Sequence, residues 1–263
     1  MLHQFCSSAS RPEPDPQNPL PPHRVGRIDI HCHLIPGVDD GCKTPEQTCE
    51  CIRQLQRVGY TGSICTPHIW PDLFPDNDMP RIRQWTAQLQ KHLDHVGLDY
   101  QLWPGGELRL FDGVIDWLEE NEPPTLAGSR FVLLDFWESQ WSRWIDDAFD
   151  WLIERDYQPI LAHPERLGLD DLPRHLDSLQ SRGVRLQGNF RCLTGEEGPQ
   201  AEKWIRQFLA EGRYQLLAMD AHRPDTLASR IAGLEVARQC YDADDIDRKT
   251  IDLPRQVILG IDG

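Results

Sequence analysis

The sequence predicts an α/β fold, a distorted barrel of seven parallel strands with a helix after each strand. Three observations carry that expectation. From Arg27 onward, short apolar runs of strand length alternate with amphipathic stretches of helix length. Gly, Pro and capping residues stand where those helices should start and stop. No internal repeat of fixed period is present, so a solenoid is not expected. A chain of 263 residues is long enough for one such barrel with a large buried core.

Taken in order, the expected strands are 27–33, 62–68, 100–108, 131–136, 159–163, 184–189 and 215–220. After the first, Thr44-Pro45-Glu46-Gln47 is a capping box with proline at the first helical position, and Gly59 closes that helix. Asp78 caps the next helix, which ends at Gly97. Later helices are expected over 144–155, over 172–182 before Gly183 and over 200–211 before Gly212, with a final one over 227–240. Ahead of the first strand, residues 1–24 are rich in proline and polar side chains and lack hydrophobic periodicity. The expected organisation is therefore a disordered extension, 1–24, and a single barrel domain, 25–263.

Composition excludes several classes. The formal charge is 27 − 42 = −15, which argues against nucleic-acid binding. No apolar run is long enough to insert into a membrane. The eight cysteines (6, 32, 42, 49, 51, 65, 192 and 240) are irregularly spaced, and no secretory signal pattern is visible. They read as reduced thiols of a cytoplasmic protein.

The chemistry gathers at the strand ends. His31-x-His33 closes the first strand, and on a strand two such imidazoles leave the same face. The later ends read Thr-Pro-His68, Gly-Gly-Glu107, Leu-Asp135, Ala-His163-Pro-Glu-Arg166 and Met-Asp220-Ala-His222, with Asp40 in the first loop. Only the sixth strand, ending at Asn189, lacks a strong ligand. Barrel active sites lie at the carboxyl ends of strands, so these residues converge. Nine N and O ligands (His31, His33, Asp40, His68, Glu107, Asp135, His163, Asp220 and His222) exceed what one ion can take, so two or three divalent metals are expected. Imidazole and carboxylate without thiolate suit Mn²⁺ first, with Fe²⁺ or Zn²⁺ as alternatives.

This constellation resembles the PHP (polymerase and histidinol phosphatase) superfamily, through Asp29-x-His31-x-His33, His68, Glu107, His163 and Asp220-x-His222. Within it the chain is most similar to the bacterial CpsB/YwqE-type tyrosine phosphatases, on I-D-I-H-C-H-L-I-P-G-V-D-D-G at 28–41, S-x-C-T-P-H at 63–68 and A-H-P-E-R at 162–166. The resemblance implies a distorted seven-stranded PHP barrel and a phosphotyrosine-protein phosphatase linked to capsular or exopolysaccharide synthesis. It implies as partner a phosphotyrosine protein, a bacterial tyrosine kinase of polysaccharide export, and leaves an oligomer open. It also implies one metal on His31, His33, Glu107 and Asp220, a second shared by Glu107 with Asp135 and His163, and a third on Asp40, His68 and His222. Asp135 stands where such proteins carry Glu, which shortens its reach. The arginine expected after the last Asp-x-His is displaced, leaving Arg223 and Arg230 as neighbours and Arg166 as the firmer phosphate anchor.

A phosphomonoester on such ions is open to in-line attack by a metal-activated water. Arg166 can grip a phosphate oxygen, and Arg223 is a further substrate-binding candidate. Asp40, His222 or a coordinated water is left to assist the leaving oxygen. Trp137 and Trp141, after the fourth strand, are expected to line a pocket for the phosphotyrosine ring, whereas Trp144 and Trp151 pack a helix. Cys51-x5-Arg57 has the bare spacing of thiol phosphatases, but it falls within a helix whose N–H groups are already used. Alternative functions are a small-molecule phosphatase of the same superfamily, acting on histidinol phosphate or a nucleotide, and a non-enzymatic barrel that regulates a kinase.

Overall fold

The computed structural model describes residues 26–138, 140–169 and 171–261; the extension expected at 1–24 lies outside the described residues. The described chain runs β1 (Arg27–Cys32), α1 (Pro45–Arg57), β2 (Tyr60–Cys65), β3 (His68–Ile69), α2 (Met79–His95), β4 (Gln101–Pro104), β5 (Glu107–Arg109) and α3 (Val114–Glu120). It continues with β6 (Phe131–Asp135), α4 (Arg143–Ile153), β7 (Gln158–Ala162), α5 (Leu172–Ser181), β8 (Arg185–Asn189), α6 (Pro199–Ala210) and β9 (Leu216–Ala218). Three helices, α7 (Leu227–Cys240), α8 (Ala243–Asp247) and α9 (Leu253–Leu259), follow, the last two joined by a π-helical turn over Arg248–Asp252.

Every strand pairing is parallel. One sheet has the order β1-β2-β4 and the other β3-β5-β6-β7-β8-β9. Two of the seven expected strands are each broken in two, which is why nine strands appear. The break between β2 and β3 falls at Thr66-Pro67, where proline has no N–H to give the ladder. The break between β4 and β5 falls at Gly105-Gly106. A Cβ on Gly105 would stand 2.9 Å from both Ile64 and Leu126, so the chain passes too close there for any side chain. At the carboxyl end the ring is joined: Cys32 bridges Ala221 in parallel, and the His33 N–H donates to the Ala221 carbonyl at 2.8 Å.

Side-chain parity sorts the core into two clusters. Ile28, Ile30, Ile64, Trp103, Phe131, Leu133, Ile160, Ala162, Leu216 and Ala218 form the inner one. The alternate residues, among them Val132, Leu134, Leu161, Leu186 and Leu217, pack outward on helix faces carrying Leu55, Ile82, Phe149, Leu176 and Phe208. Leu253, Val257 and Ile258 of α9 join the inner cluster, so the end of the chain plugs the barrel. From the sequence the last helix is expected to end at residue 240. Both α8 and α9 are too short to show a helical period, and Pro254 interrupts the pattern further.

The helix punctuation holds. Thr44 accepts from the Gln47 N–H at the start of α1, and Asp78 accepts from the Arg81 N–H at the start of α2. The four later helix ranges agree within a residue or two. Among the described residues no helix is long and apolar enough to cross a membrane.

Candidate metal centre and active site

The parity that buries apolar side chains in the barrel also delivers polar ones to its rim. His68 lies two pairs above Ile64, Glu107 above Trp103, Asp135 one pair above Leu133, and Asp220 above Ala218. On β1 the register shifts between Asp29 and Cys32, so Ile28 and Ile30 face the barrel core while His31 and His33 reach the rim. His163, directly after Ala162, is turned to the rim by its backbone: it and Asp220 both take left-handed conformations, φ 31° and φ 51°. Each costs about 1–3 kcal/mol in a residue other than glycine, and His163 precedes proline, which disfavours it further.

Among the described residues three overlapping donor groups result, with the ligand atoms of each within 4.8 Å of one another: His31, His33 and Asp220; His31, Glu107 and His163; His33, Asp40, His68 and His222. His31 Nε2 lies 3.3 Å from His33 Nε2, 3.2 Å from Glu107 Oε2 and 3.5 Å from Asp220 Oδ1. His68 Nδ1 lies 2.9 Å from the same Glu107 oxygen, and His163 Nε2 lies 3.1 Å from the other. Asp40 Oδ1 stands 3.4 Å from both His68 Nε2 and His222 Nε2.

The donor set fits divalent ions. His31 Nδ1 faces Gln187 Oε1 at 2.8 Å and His33 Nδ1 faces Asp39 Oδ2 at 2.7 Å, so each ring uses its N–H outward. Their Nε2 lone pairs then meet each other and two carboxylates with no donor between them. Two ligands about 2.1 Å from a shared ion stand about 3.0–3.4 Å apart at octahedral to tetrahedral angles, the spacing found here. Glu107 Oε2 is buried without a hydrogen-bond donor while three imidazoles point at it. Without an ion, protonated His31 and His68 take its place and hold the Glu107 carboxyl well below its usual range against the upward push of burial. Asp220 is likewise held well down against burial by His31 and His222.

Asp135 behaves differently. It stands 3.8 Å from His163 Nδ1, its other oxygen accepts from Trp137 Nε1, and it lies outside all three donor groups. Its shorter side chain accounts for the distance. Burial raises its pKa, with Glu107 adding to the rise.

Several partners carried no ligand signal in the sequence. Asp39 supports His33 and also accepts from the Gly41 and His68 N–H groups. Gln187 supports His31 and donates to Asn189, which donates at 2.8 Å to Asp220 Oδ2. These outer contacts set ring orientation and tautomer. The adjacent Asp39-Asp40 pair was the available hint for the first; nothing in the sequence marked the amides as paired with a histidine.

One cavity of about 290 Å³ opens over the donors, lined by Asp40, His68, Glu107, Asp135, Trp137, His163, Arg166, Asp220, His222 and Arg223, with Arg191, Glu197, Thr226 and Arg230. Arg166 lies 3.4 Å from Asp220 and 3.6 Å from Glu197, not paired with its neighbour Glu165, which is bound by the Asn189 N–H and the Tyr214 hydroxyl. The exposed Trp137 ring stands 5.5 Å from the Arg166 guanidinium. Trp141 is not at the site: it is packed on Phe136 and His175, and its N–H is taken by Asp146. Arg230, set aside in favour of Arg166, is buried at the cavity with Nε donating to the Asp220 carbonyl at 2.8 Å. Cys51 is buried inside α1, 3.8 Å from the Cys42 sulfur, and does not line the cavity.

A parallel barrel with a polynuclear donor set at its carboxyl rim defines a frame for metal-assisted hydrolysis. Structures with 14% identity share the fold, such as an organophosphorus hydrolase mutant from Deinococcus radiodurans (TM-score 0.54, covering 89% of this chain and 93% of that one). The family model for capsular polysaccharide synthesis, CpsB/CapC, matches residues 27–258, and the chain belongs to that family. Tyrosine-protein phosphatase YwqE of Bacillus subtilis is 28% identical over 200 residues, 76% of this chain and 78% of the relative. Tyrosine-protein phosphatase CpsB of Streptococcus pneumoniae is 25% identical over 239 residues, 88% of this chain and 98% of the relative. A crystal structure from work on those two proteins, described as unique metal-dependent tyrosine phosphatases, superposes with TM-score 0.80 at 25% identity, covering 89% of this chain and 95% of that one.

Proposed function

We propose that this chain is a metal-dependent phosphotyrosine-protein phosphatase of capsular or exopolysaccharide synthesis, working in the cytoplasm on a bacterial tyrosine kinase of polysaccharide export. The observation that carries the reading is the meeting of two outward-anchored imidazoles, His31 and His33, with Glu107 and Asp220 on the floor of a cavity whose wall presents Arg166. His31, His33, Asp40, His68, Glu107, His163, Asp220 and His222 would hold two or three ions, Mn²⁺, Fe²⁺ or Zn²⁺ by ligand type, with Asp135 beside His163 at the edge. When bound, such ions neutralise phosphate oxygens and make a nucleophile available from water at neutral pH.

The chain's own residues supply the rest. Arg166 offers a planar fork to the phosphate, with Asp220 3.4 Å away on the side of the donors. Trp137 stands at the mouth, where an aryl leaving group would lie against it. Asp40, with a side chain 60% exposed, is the outermost of the donors and, together with His222 at 3.4 Å, would serve the departing oxygen. A phenolate leaves with little protonation, so an aryl ester asks less of that pair than an alkyl ester does.

The test compares a phosphotyrosine peptide with histidinol phosphate on metal-replete protein. Turnover of the peptide at least about tenfold more efficient is expected, abolished by a strong chelator and restored by Mn²⁺. Metal-loaded protein that hydrolyses neither an aryl phosphate nor the peptide would overturn the reading.

A further inference from the structure

The proposed chemistry leaves Glu197 unexplained: an acidic side chain in the wall of a cavity that must bind a dianion. It sits in the turn between β8 and α6, where the Gly198 N–H donates to the Gly195 carbonyl at 3.0 Å and both glycines have positive φ. That tight turn fixes Glu197 in place. One of its oxygens lies 2.8 Å from Arg191 Nη1 and the other 3.6 Å from Arg166 Nε. Arg166 is thus shared between Asp220, on the side of the metal donors, and Glu197, on the outer side.

We propose that Glu197 is a built-in counter-ion that competes with phosphate for Arg166 and Arg191 and so limits how tightly the site holds its phosphate product. This rests on the phosphatase reading for its biological sense, but its physical content is the anion affinity of the cavity. Four arginines, Arg166, Arg191, Arg223 and Arg230, line the same cavity above a set of metal donors. Arg166 also has Asp220, Arg191 has Glu196 at 3.3 Å and Arg223 has Asp225 at 3.4 Å, but Glu197 is the carboxylate in the cavity wall that Arg166 and Arg191 share. A phosphate that engages either of these two guanidiniums must displace Glu197 or share the arginine with it. Glu197 acts through the arginines, which makes it a positioning residue with a signature opposite to that of a supporting one.

The experiment measures inorganic phosphate on metal-loaded protein, both as its competitive Ki against an aryl phosphate and as its Kd by calorimetry. Glu197→Gln should tighten both by about threefold or more, because a unit charge beside the anion is removed. Glu197→Asp, which keeps the charge, should stay within about twofold of the parent, and Arg191→Gln should weaken phosphate binding by about threefold or more. Each variant is compared at equal metal content and equal thermal stability. Loss of a merely structural contact would leave phosphate affinity unchanged or weaker, so either result for Glu197→Gln overturns the proposal. If the parent turns over an aryl phosphate and Glu197→Gln binds phosphate no tighter, the inference fails and the phosphatase reading stands. If the parent turns over nothing while Glu197→Gln still binds phosphate more tightly, the phosphatase reading fails and the counter-ion role stands.

Discussion

The two ends of the barrel are made from the same strands to opposite specifications. At the amino end Ile28 and Phe131 meet Leu253, Val257 and Ile258 of α9, all buried and apolar. Arg27 latches the same region through the Thr250 hydroxyl and through Asp247 at 2.5 Å. At the carboxyl end, buried His31, His33, Glu107, His163 and Asp220 crowd together, two of them on left-handed backbone. Burying carboxylates and imidazoles this closely is unfavourable without cations, whereas the apolar end lowers the free energy of the fold directly. The difference teaches where stability and chemistry reside. Mutations at the two ends should therefore separate in what they change.

The largest effect should come from Glu107→Ala. Its carboxylate lies within 3.4 Å of four imidazoles through its two oxygens, so its loss disturbs more than one donor group. Turnover should fall at least about 10³-fold, roughly 4 kcal/mol of barrier, with loss of bound metal. A variant that keeps full metal and full turnover would break the assignment of chemistry to this end.

At the other end Phe131→Ala should cost about 3–5 kcal/mol of unfolding free energy, read from denaturant melts. The folded enzyme should keep kcat within about twofold, because the cavity left behind lies against α9 and away from the donors. A large fall in kcat without a stability change would show that the amino end communicates with the site. Smaller again is Asp39→Asn. Asp39 touches His33 Nδ1 at 2.7 Å and holds it from behind, so metal affinity or activity should drop by about tenfold to a hundredfold. Titration with Mn²⁺ measures it, and unchanged affinity would mean that His33 needs no carboxylate behind it.

Asp39 also marks the border of what the sequence made legible. The short apolar runs at 131–136 and 215–220, and the capping residues Thr44 and Asp78, are local signals, and each produced the element expected from it. His31, Glu107 and His222 were visible because strand ends in a barrel share one rim. Asp39, Gln187 and Asn189 were not, since their value lies in side-chain pairing across the fold, such as Gln187 with His31, 156 residues away in sequence. The two broken strands depended on local backbone contacts at Pro67 and Gly105, and Trp141 was misplaced because the turn after β6 carries it toward α5, onto His175. A seven-residue helix such as α9 has too few turns to declare itself and is identified only by the barrel it plugs.

The smallest expected effect bears on mechanism. Cys51→Ser should leave aryl phosphate turnover within about twofold, because Cys51 lies on α1 with its backbone inside the helical ladder. A thiol phosphatase needs a thiolate cradled by free N–H groups at a helix start, and both conditions fail here. The hydrogen bond with Cys42 and burial push the Cys51 thiol far up, which disfavours the thiolate. Serine at this position exchanges one small buried group for another against the Cys42 sulfur at 3.8 Å, so any loss should appear in stability before catalysis. His222→Ala is the contrasting measurement: it removes a donor 3.4 Å from Asp40 at the cavity and should lower kcat by at least about 10²-fold, roughly 2.7 kcal/mol. A phosphocysteine trapped at position 51, or a folded and metal-loaded Cys51→Ser protein without activity, would move the chemistry from the barrel rim to α1.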